Sequence, residues 1–137
     1  MKVSEMMTQD VCVVAPGDSL RDAARMMVQK DIGSVPVGEN DRLVGFITDR
    51  DIAVRAVAEG KDPMTAVREV MSEDVKYCFE NDDVDEVSRN MADLRIRRLP
   101  VVDANKRLVG IVSLANFAHS GDDRASDSLL KGVAAPH

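Results

Sequence analysis

Apolar positions along the chain follow two spacings in turn. Short runs of strand type, Val11 to Val14, Ser34 to Val37 and Leu43 to Ile47, are separated by stretches with apolar residues every three or four positions. Leu20, Ala23, Ala24 and Met27 fall at i, i+3, i+4 and i+7, one face of an amphipathic helix. Asp18-Ser19 starts that helix, with capping-box spacing in Ser19-x-x-Asp22. Pro36 confines its strand to an edge or a strand start, and Pro100 is expected to do the same for Arg98 to Val101. The polar turn Gly38 to Asp41 leads into the next run. Ile52, Ala53, Ala56 and Val57 then define a second helix, running to about Glu59 and stopped by Gly60 ahead of Pro63. The order predicted for residues 1–60 is β-α-β-β-α.

The same order is written a second time. Val3-x-Glu5-x-Met7-x-x-Asp10-Val11 recurs as Val67-x-Glu69-x-Met71-x-x-Asp74-Val75, an offset of about 64 residues that persists through Asp18/Asp82, Arg25/Arg89, Met27/Met91, Ile32/Ile96 and Pro36-Val37/Pro100-Val101. After one inserted residue, Arg42-Leu43-Val44-Gly45 returns as Arg107-Leu108-Val109-Gly110. Val75 to Phe79 is the second copy's first strand. Asp82-Asp83, with Asp83-x-x-Glu86, starts a helix whose buried face is Val84, Val87 and Met91. Arg98 to Val101 and Leu108 to Val112 are its later strands, joined by the turn Asp103 to Lys106, and a shorter last helix ends near Ser120-Gly121. We therefore expect repeats at 1–60 and 67–120, a linker at 61–66 and a polar tail at 121–137. The fold class is α/β (α+β). Two copies suggest a pseudo-twofold pair forming one module.

The junction between the run Leu43 to Ile47 and the following helix carries candidate chemistry. Thr48 and Asp51 stand three residues apart where a strand hands over to a helix, whose first amides are unpaired and favour an anion. A hydroxyl and a carboxylate so placed could hold a polyol and a phosphate together. The same spacing is also close to a capping box, in which the two residues satisfy only their own backbone. Both readings stand at this point.

Composition narrows the classes. At 137 residues, 45% hydrophobic but 3% aromatic and without Trp, the chain builds its core from Val, Ile, Leu, Ala and Met. A net charge of -6 argues against a nucleic-acid binder, while leaving room for one mononucleotide held by local arginines. No apolar run has membrane-spanning length and the N-terminus lacks a signal-type core, so the cytoplasm is the default location. Cys12 and Cys78, far apart and within apolar runs, read as buried reduced thiols. His119 and His137 are the only histidines and neither has metal-ligand spacing, so neither an enzyme nor a metal site is expected.

The tandem duplication resembles the CBS domain pair, or Bateman module. The residues that carry the likeness are Met7-Thr8, Ile32 to Val37 and Leu43 to Ile52, with their partners Met71-Ser72, Ile96 to Val101 and Leu108 to Phe117. It covers roughly Met1 to Ser120, and the chain looks like a stand-alone member. The resemblance implies two repeats packed through their sheets about a pseudo-twofold. It also implies clefts between them for adenosine ligands such as AMP, ADP or ATP, or in some members S-adenosylmethionine or NAD. None of these would be an obligatory cofactor. It implies a regulatory, signalling role without catalysis, and a homodimer formed through helical faces around Met26, Val54 and Val57, with an unidentified regulated protein as a further partner.

On the same resemblance Asp51 is the ribose clamp and Thr48 the phosphate-side hydroxyl, with Ser34, Val35 and Pro36 lining the site. An ionised carboxylate has two oxygens for two vicinal hydroxyl donors. Arg97 and Arg98, ahead of Pro100, occupy positions that are often basic and face phosphates in the family; solvated surface arginines are the alternative. Arg50 is a weaker candidate, and Arg55 is expected on the outer helix face. In the second copy Ser113 keeps the hydroxyl, but Asn116 replaces the acid. Asn116 is either a weaker clamp or a residue packing at the helix start. A protein–protein interaction module with degenerate, non-binding clefts is the competing function.

Overall fold

The computed structural model describes residues 1–113, 116 and 117. In order, the elements are a 3-10 turn (Val3–Glu5), α1 (Leu20–Lys30), β1 (Ser34–Glu39), β2 (Arg42–Thr48) and α2 (Asp49–Asp51), which runs on as a π-helical turn (Ile52–Val57). A second 3-10 turn (Val67–Glu69), β3 (Cys78–Phe79), α3 (Val84–Leu94), β4 (Arg98–Val102) and β5 (Leu108–Ser113) follow. The mixed class of helix and strand is the one expected. Of the second copy's last helix only Asn116 and Phe117 are described, both helical. His119, His137 and the tail 121–137 lie outside the described residues.

The chain divides into two compact units, offset by one segment from the sequence repeats: Cys12–Val75, and Met1–Val11 together with Lys76 onward. Two fully buried valines account for the offset. Val67, in the opening turn of the second sequence copy, packs with Val14, Leu20, Val35 and Ile47 of the first. Val3, in the matching turn of the first copy, packs with Val84, Met91, Leu99 and Phe117 of the second. Each opening segment therefore closes the core of the other copy's elements. Burying a valine there contributes on the order of 1.5 kcal/mol or more.

In the unit Cys12–Val75, β1 and β2 form an antiparallel hairpin running from Ser34↔Thr48 to Glu39↔Arg42. α1 begins as the sequence predicts, with the Ser19 hydroxyl accepting from the Asp22 amide at 3.0 Å. It ends with Asp31 in the left-handed region (φ 53°). The other unit repeats this with β3-β4-β5, where β4 is the middle strand, and with α3, closed by Arg95 at φ 57°. Here the capping differs in detail, since Asp83 accepts from the Asp85 amide at 3.1 Å. Gly60 has φ 77°, as its expected C′ role requires. None of the described helices is long and apolar enough to cross a membrane.

The expected strand Val11 to Val14 is a correction. Only Val14 bridges, in parallel, to Val37, with Val14 N–H donating to Pro36 O and Gly38 N–H to Val14 O. The next parallel rung would need an N–H from Pro36, which has none. Pro100 imposes the same limit in the second copy, so β3 spans only Cys78–Phe79, paired with Val101 and Val102. Pro100 therefore stands inside a middle strand, not at the expected edge or strand start, and the cost is a β3–β4 ladder cut to two residues.

The short bridge also leaves Cys12 only half-buried, against expectation, while Cys78 is buried. Burial, and then the negative charge of Asp82, push the Cys78 thiol from 9.0 up to about 12. At neutral pH that leaves roughly a thousandfold less thiolate than an ordinary cysteine has. A polar thiol reagent on the native protein is therefore expected to give one adduct per chain, on Cys12. Equal labelling rates at both sites, followed by mass spectrometry, would contradict the burial of Cys78.

Candidate functional site

Thr48 closes β2 and caps α2 with extended backbone (φ -117°, ψ 162°). Its Oγ1 accepts from the Asp51 amide at 3.0 Å, and Asp51 Oδ2 accepts from the Thr48 amide at 3.0 Å. The capping box foreseen as the plainer reading is therefore complete. It uses one carboxylate oxygen. Among the described residues Oδ1 of Asp51 has no hydrogen-bond partner, and the residue is half-buried. One oxygen is anchored to the backbone and the other is not.

Sheet register brings part of the expected set together. Ser34 lies directly across from Thr48 at the open end of the hairpin, followed by Val35↔Ile47 and Pro36↔Phe46. The Asp49 amide donates to Gly33 O at 2.9 Å, which ties the turn before β1 to the start of α2. Val35 and Pro36 are both buried, and Val35 packs into the hydrophobic core of its unit. Arg50 is exposed, and its hydrogen bond is made by its backbone amide to Asp49 Oδ1. Arg55, expected on the outer face, is exposed and also donates from Nη1 to Met71 O at 3.3 Å.

That contact introduces a segment not counted among the site residues. Met71-Ser72 runs beside β2, with Phe46 N–H donating to Ser72 O at 3.0 Å and Ser72 N–H to Phe46 O at 2.9 Å. The recurrence of Met7-Thr8 as Met71-Ser72 was the available signal. In the other unit Thr8 exchanges the same pair of bonds with Ile111, each 2.9 Å.

The second motif lies wholly in that other unit. Ser113 faces Arg98 across β4 and β5. Asn116 Oδ1 accepts from the Ser113 amide at 2.8 Å and from Ser113 Oγ at 3.0 Å, while its Nδ2 donates to Thr8 Oγ1 at 3.3 Å. Arg98 is half-buried and Arg97 exposed. Both arginines therefore belong to the compact unit that holds Asn116, not to the one that holds Asp51. No group of three or more His, Cys, Asp or Glu side chains among the described residues is placed to hold a metal ion.

Comparison with known proteins adds the following. The CBS domain family matches twice, over residues 3–57 and 67–121. A CBS domain-containing protein of Bacillus subtilis, YhcV, is 44% identical over 116 residues, 85% of this chain and 82% of that protein. The crystal structure of hypoxic response protein I, which holds two coordinated zinc ions, superposes with a TM-score of 0.78 at 35% identity, covering 88% of this chain and 98% of that one. CBSX2 in complex with AMP gives 0.76 at 27% identity, over 87% and 94% of the two chains. The CBS domain pair of MJ0100, in complex with 5-methylthioadenosine and S-adenosylmethionine, gives 0.73 at 29% identity, over 86% and 93%.

Proposed function

This chain belongs to the CBS domain family, and from that premise we propose that it is a non-catalytic regulatory module that binds an adenosine-containing ligand at Thr48 and Asp51. The observation that carries the proposal is the half-used carboxylate of Asp51. Its Oδ2 is held by the Thr48 amide, so the carboxylate is already ordered, and its second oxygen suits ribose hydroxyl donors. Thr48, fixed in the same box, offers its hydroxyl on the phosphate side. Ser34 opposite, with Val35 and Pro36 following it on β1, lies in the same compact unit. The two neighbours solved with adenosine compounds support the ligand class, and AMP, ADP, ATP and S-adenosylmethionine are its candidates.

The test is a thermal-shift panel of adenine and guanine nucleotides, S-adenosylmethionine and NAD. A ligand at about 100 times its Kd adds roughly 2.7 kcal/mol of stability. A flat panel would favour the second reading, a protein–protein interaction module. One observation favours that second reading: the Thr48–Asp51 capping box is already complete without a ligand.

The assembly proposed is a homodimer. Val54 and Val57 on the second helix of the Cys12–Val75 unit are 48% and 68% exposed, beside a groove lined by Leu20, Ala24, Ile52, Ala56 and Pro63. Met26, grouped with these valines on sequence, packs partly into the core and contributes less. Sedimentation is expected to give about 30 kDa, twice the 15.0 kDa chain, and Val57→Asp is expected to return it to the monomer mass. A 15 kDa species for the unaltered protein at micromolar concentration would defeat the proposal.

A further inference from the structure

The two copies of the strand-to-helix motif use their third-position side chains differently. An asparagine amide has one oxygen with two lone pairs and a nitrogen with two donors. At Asn116 both lone pairs of Oδ1 are taken, by the Ser113 amide at 2.8 Å and by Ser113 Oγ at 3.0 Å. The nitrogen side is turned to Thr8 Oγ1 at 3.3 Å, a residue 108 positions earlier in the chain. Thr8 in turn holds β5 through the reciprocal 2.9 Å bonds with Ile111. Asp51 makes no corresponding side-chain bond to Ser72, and among the described residues its Oδ1 accepts nothing. The sequence-matched acceptor is thus spent in one copy and open in the other.

We propose that the second motif works as an internal staple. Asn116 spends its side chain on a hold on Thr8, which reinforces the backbone pair joining Thr8 to β5, and the chain accordingly takes one equivalent of adenosine ligand, at Asp51. The stoichiometric half of this rests on the ribose reading above; the staple half does not. Asn116 is a positioning residue here. It satisfies the start of the second copy's last helix and the N-terminal segment with one side chain, which leaves no acceptor for a ribose.

Two measurements on the full-length chain separate the halves. Amide exchange, read by mass spectrometry without ligand, is expected to rise roughly 3- to 10-fold over Met7–Val11 in Asn116→Ala, and likewise in Thr8→Val. The double variant should exchange no faster than the faster single, because both remove the same bond. Val67–Val75 should be unaffected. Thr8 is exposed, so Thr8→Val keeps the test intact if Asn116→Ala does not fold. Unchanged exchange in the foldable variant overturns the staple. Titration calorimetry with AMP and with S-adenosylmethionine is expected to give one equivalent per chain for the unaltered protein and for Asn116→Ala, and none for Asp51→Ala. Two equivalents, one lost in Asn116→Ala, would overturn the stoichiometry. No binding to any form would overturn the stoichiometric half together with the ribose reading, and leave the staple to the exchange result.

Discussion

Asp51→Asn is expected to leave the melting temperature nearly unchanged while weakening adenosine-ligand binding at least tenfold. Asp51→Ala should weaken it by about 30- to 1000-fold, the equivalent of two charge-assisted hydrogen bonds at on the order of 2 to 4 kcal/mol in total. The asparagine variant is the more informative because the molecule already contains its control. In the second copy Asn116 Oδ1 accepts from the Ser113 amide at 2.8 Å, so an asparagine at the third position supports the cap. Placed at position 51 it should accept from the Thr48 amide just as Asp51 Oδ2 does at 3.0 Å. What it lacks is charge and a second acceptor. Asp51→Ala loses the cap as well, at a cost of about 1 kcal/mol in stability. A pair of variants that differ in melting temperature but bind like the parent would leave Thr48 and Asp51 as a capping pair only, and the interaction-module reading would prevail.

Most of the element order was legible because both copies carry the same periodicity, and a duplicated signal is hard to misread. α1 and α3 start at the predicted caps, and the hairpin register places Ser34 opposite Thr48. The first strands were overread. Val11 to Val14 has strand composition, but extending its ladder depends on an N–H that Pro36, more than twenty residues later, does not have. Composition reports what a segment tolerates, not what its neighbour can donate. The burial of Cys12 failed for the same reason.

At the candidate site, the Thr48–Asp51 pairing was visible as spacing, yet its hydrogen-bond economy was not. Spacing shows that Thr48 and Asp51 can cap one another; only geometry shows that the cap consumes Oδ2 alone. The role of Asn116 was equally hidden, because its partner Thr8 lies at the other end of the chain. The pairing of each opening turn with the other copy's core was also illegible. Val3 and Val67 match each other in the repeat, so the pattern itself gives no reason to assign either to a given core.

That exchange of segments leads to the second large effect, at the glycines of the two late strands. A Cβ built on Gly110 would lie 2.5 Å from Met7 Sδ, 2.8 Å from Met7 Cγ and 2.9 Å from the carbonyl oxygen of Thr8. On Gly45 it would meet Met71 Sδ at 2.6 Å, Met71 Cγ at 3.2 Å and the Ser72 carbonyl at 3.1 Å. In each unit, then, the opening segment lies directly on a strand glycine, and the conserved size of that gap in both copies explains why Met-Thr and Met-Ser recur with Gly. A methionine end can swing away at modest cost, but a carbonyl held in a reciprocal pair of 2.9 Å bonds cannot move without breaking them. Overpacking of this kind costs about 1–3 kcal/mol, offset by about 0.4–1 kcal/mol from the stiffer unfolded chain. Gly110→Ala is therefore expected to destabilise by about 2 kcal/mol and Gly45→Ala by about 1 kcal/mol, the difference residing in the backbone contact. Shortening the methionine should discriminate further. Met71→Ala added to Gly45→Ala is expected to cost less than the sum of the two single changes, because the sulfur is its main obstacle. Met7→Ala should relieve Gly110→Ala far less, since the Thr8 carbonyl remains. Denaturant melts of the four single and two double variants check this ordering, and equal relief in both units would show that the side chains, not the strap backbone, set the fit.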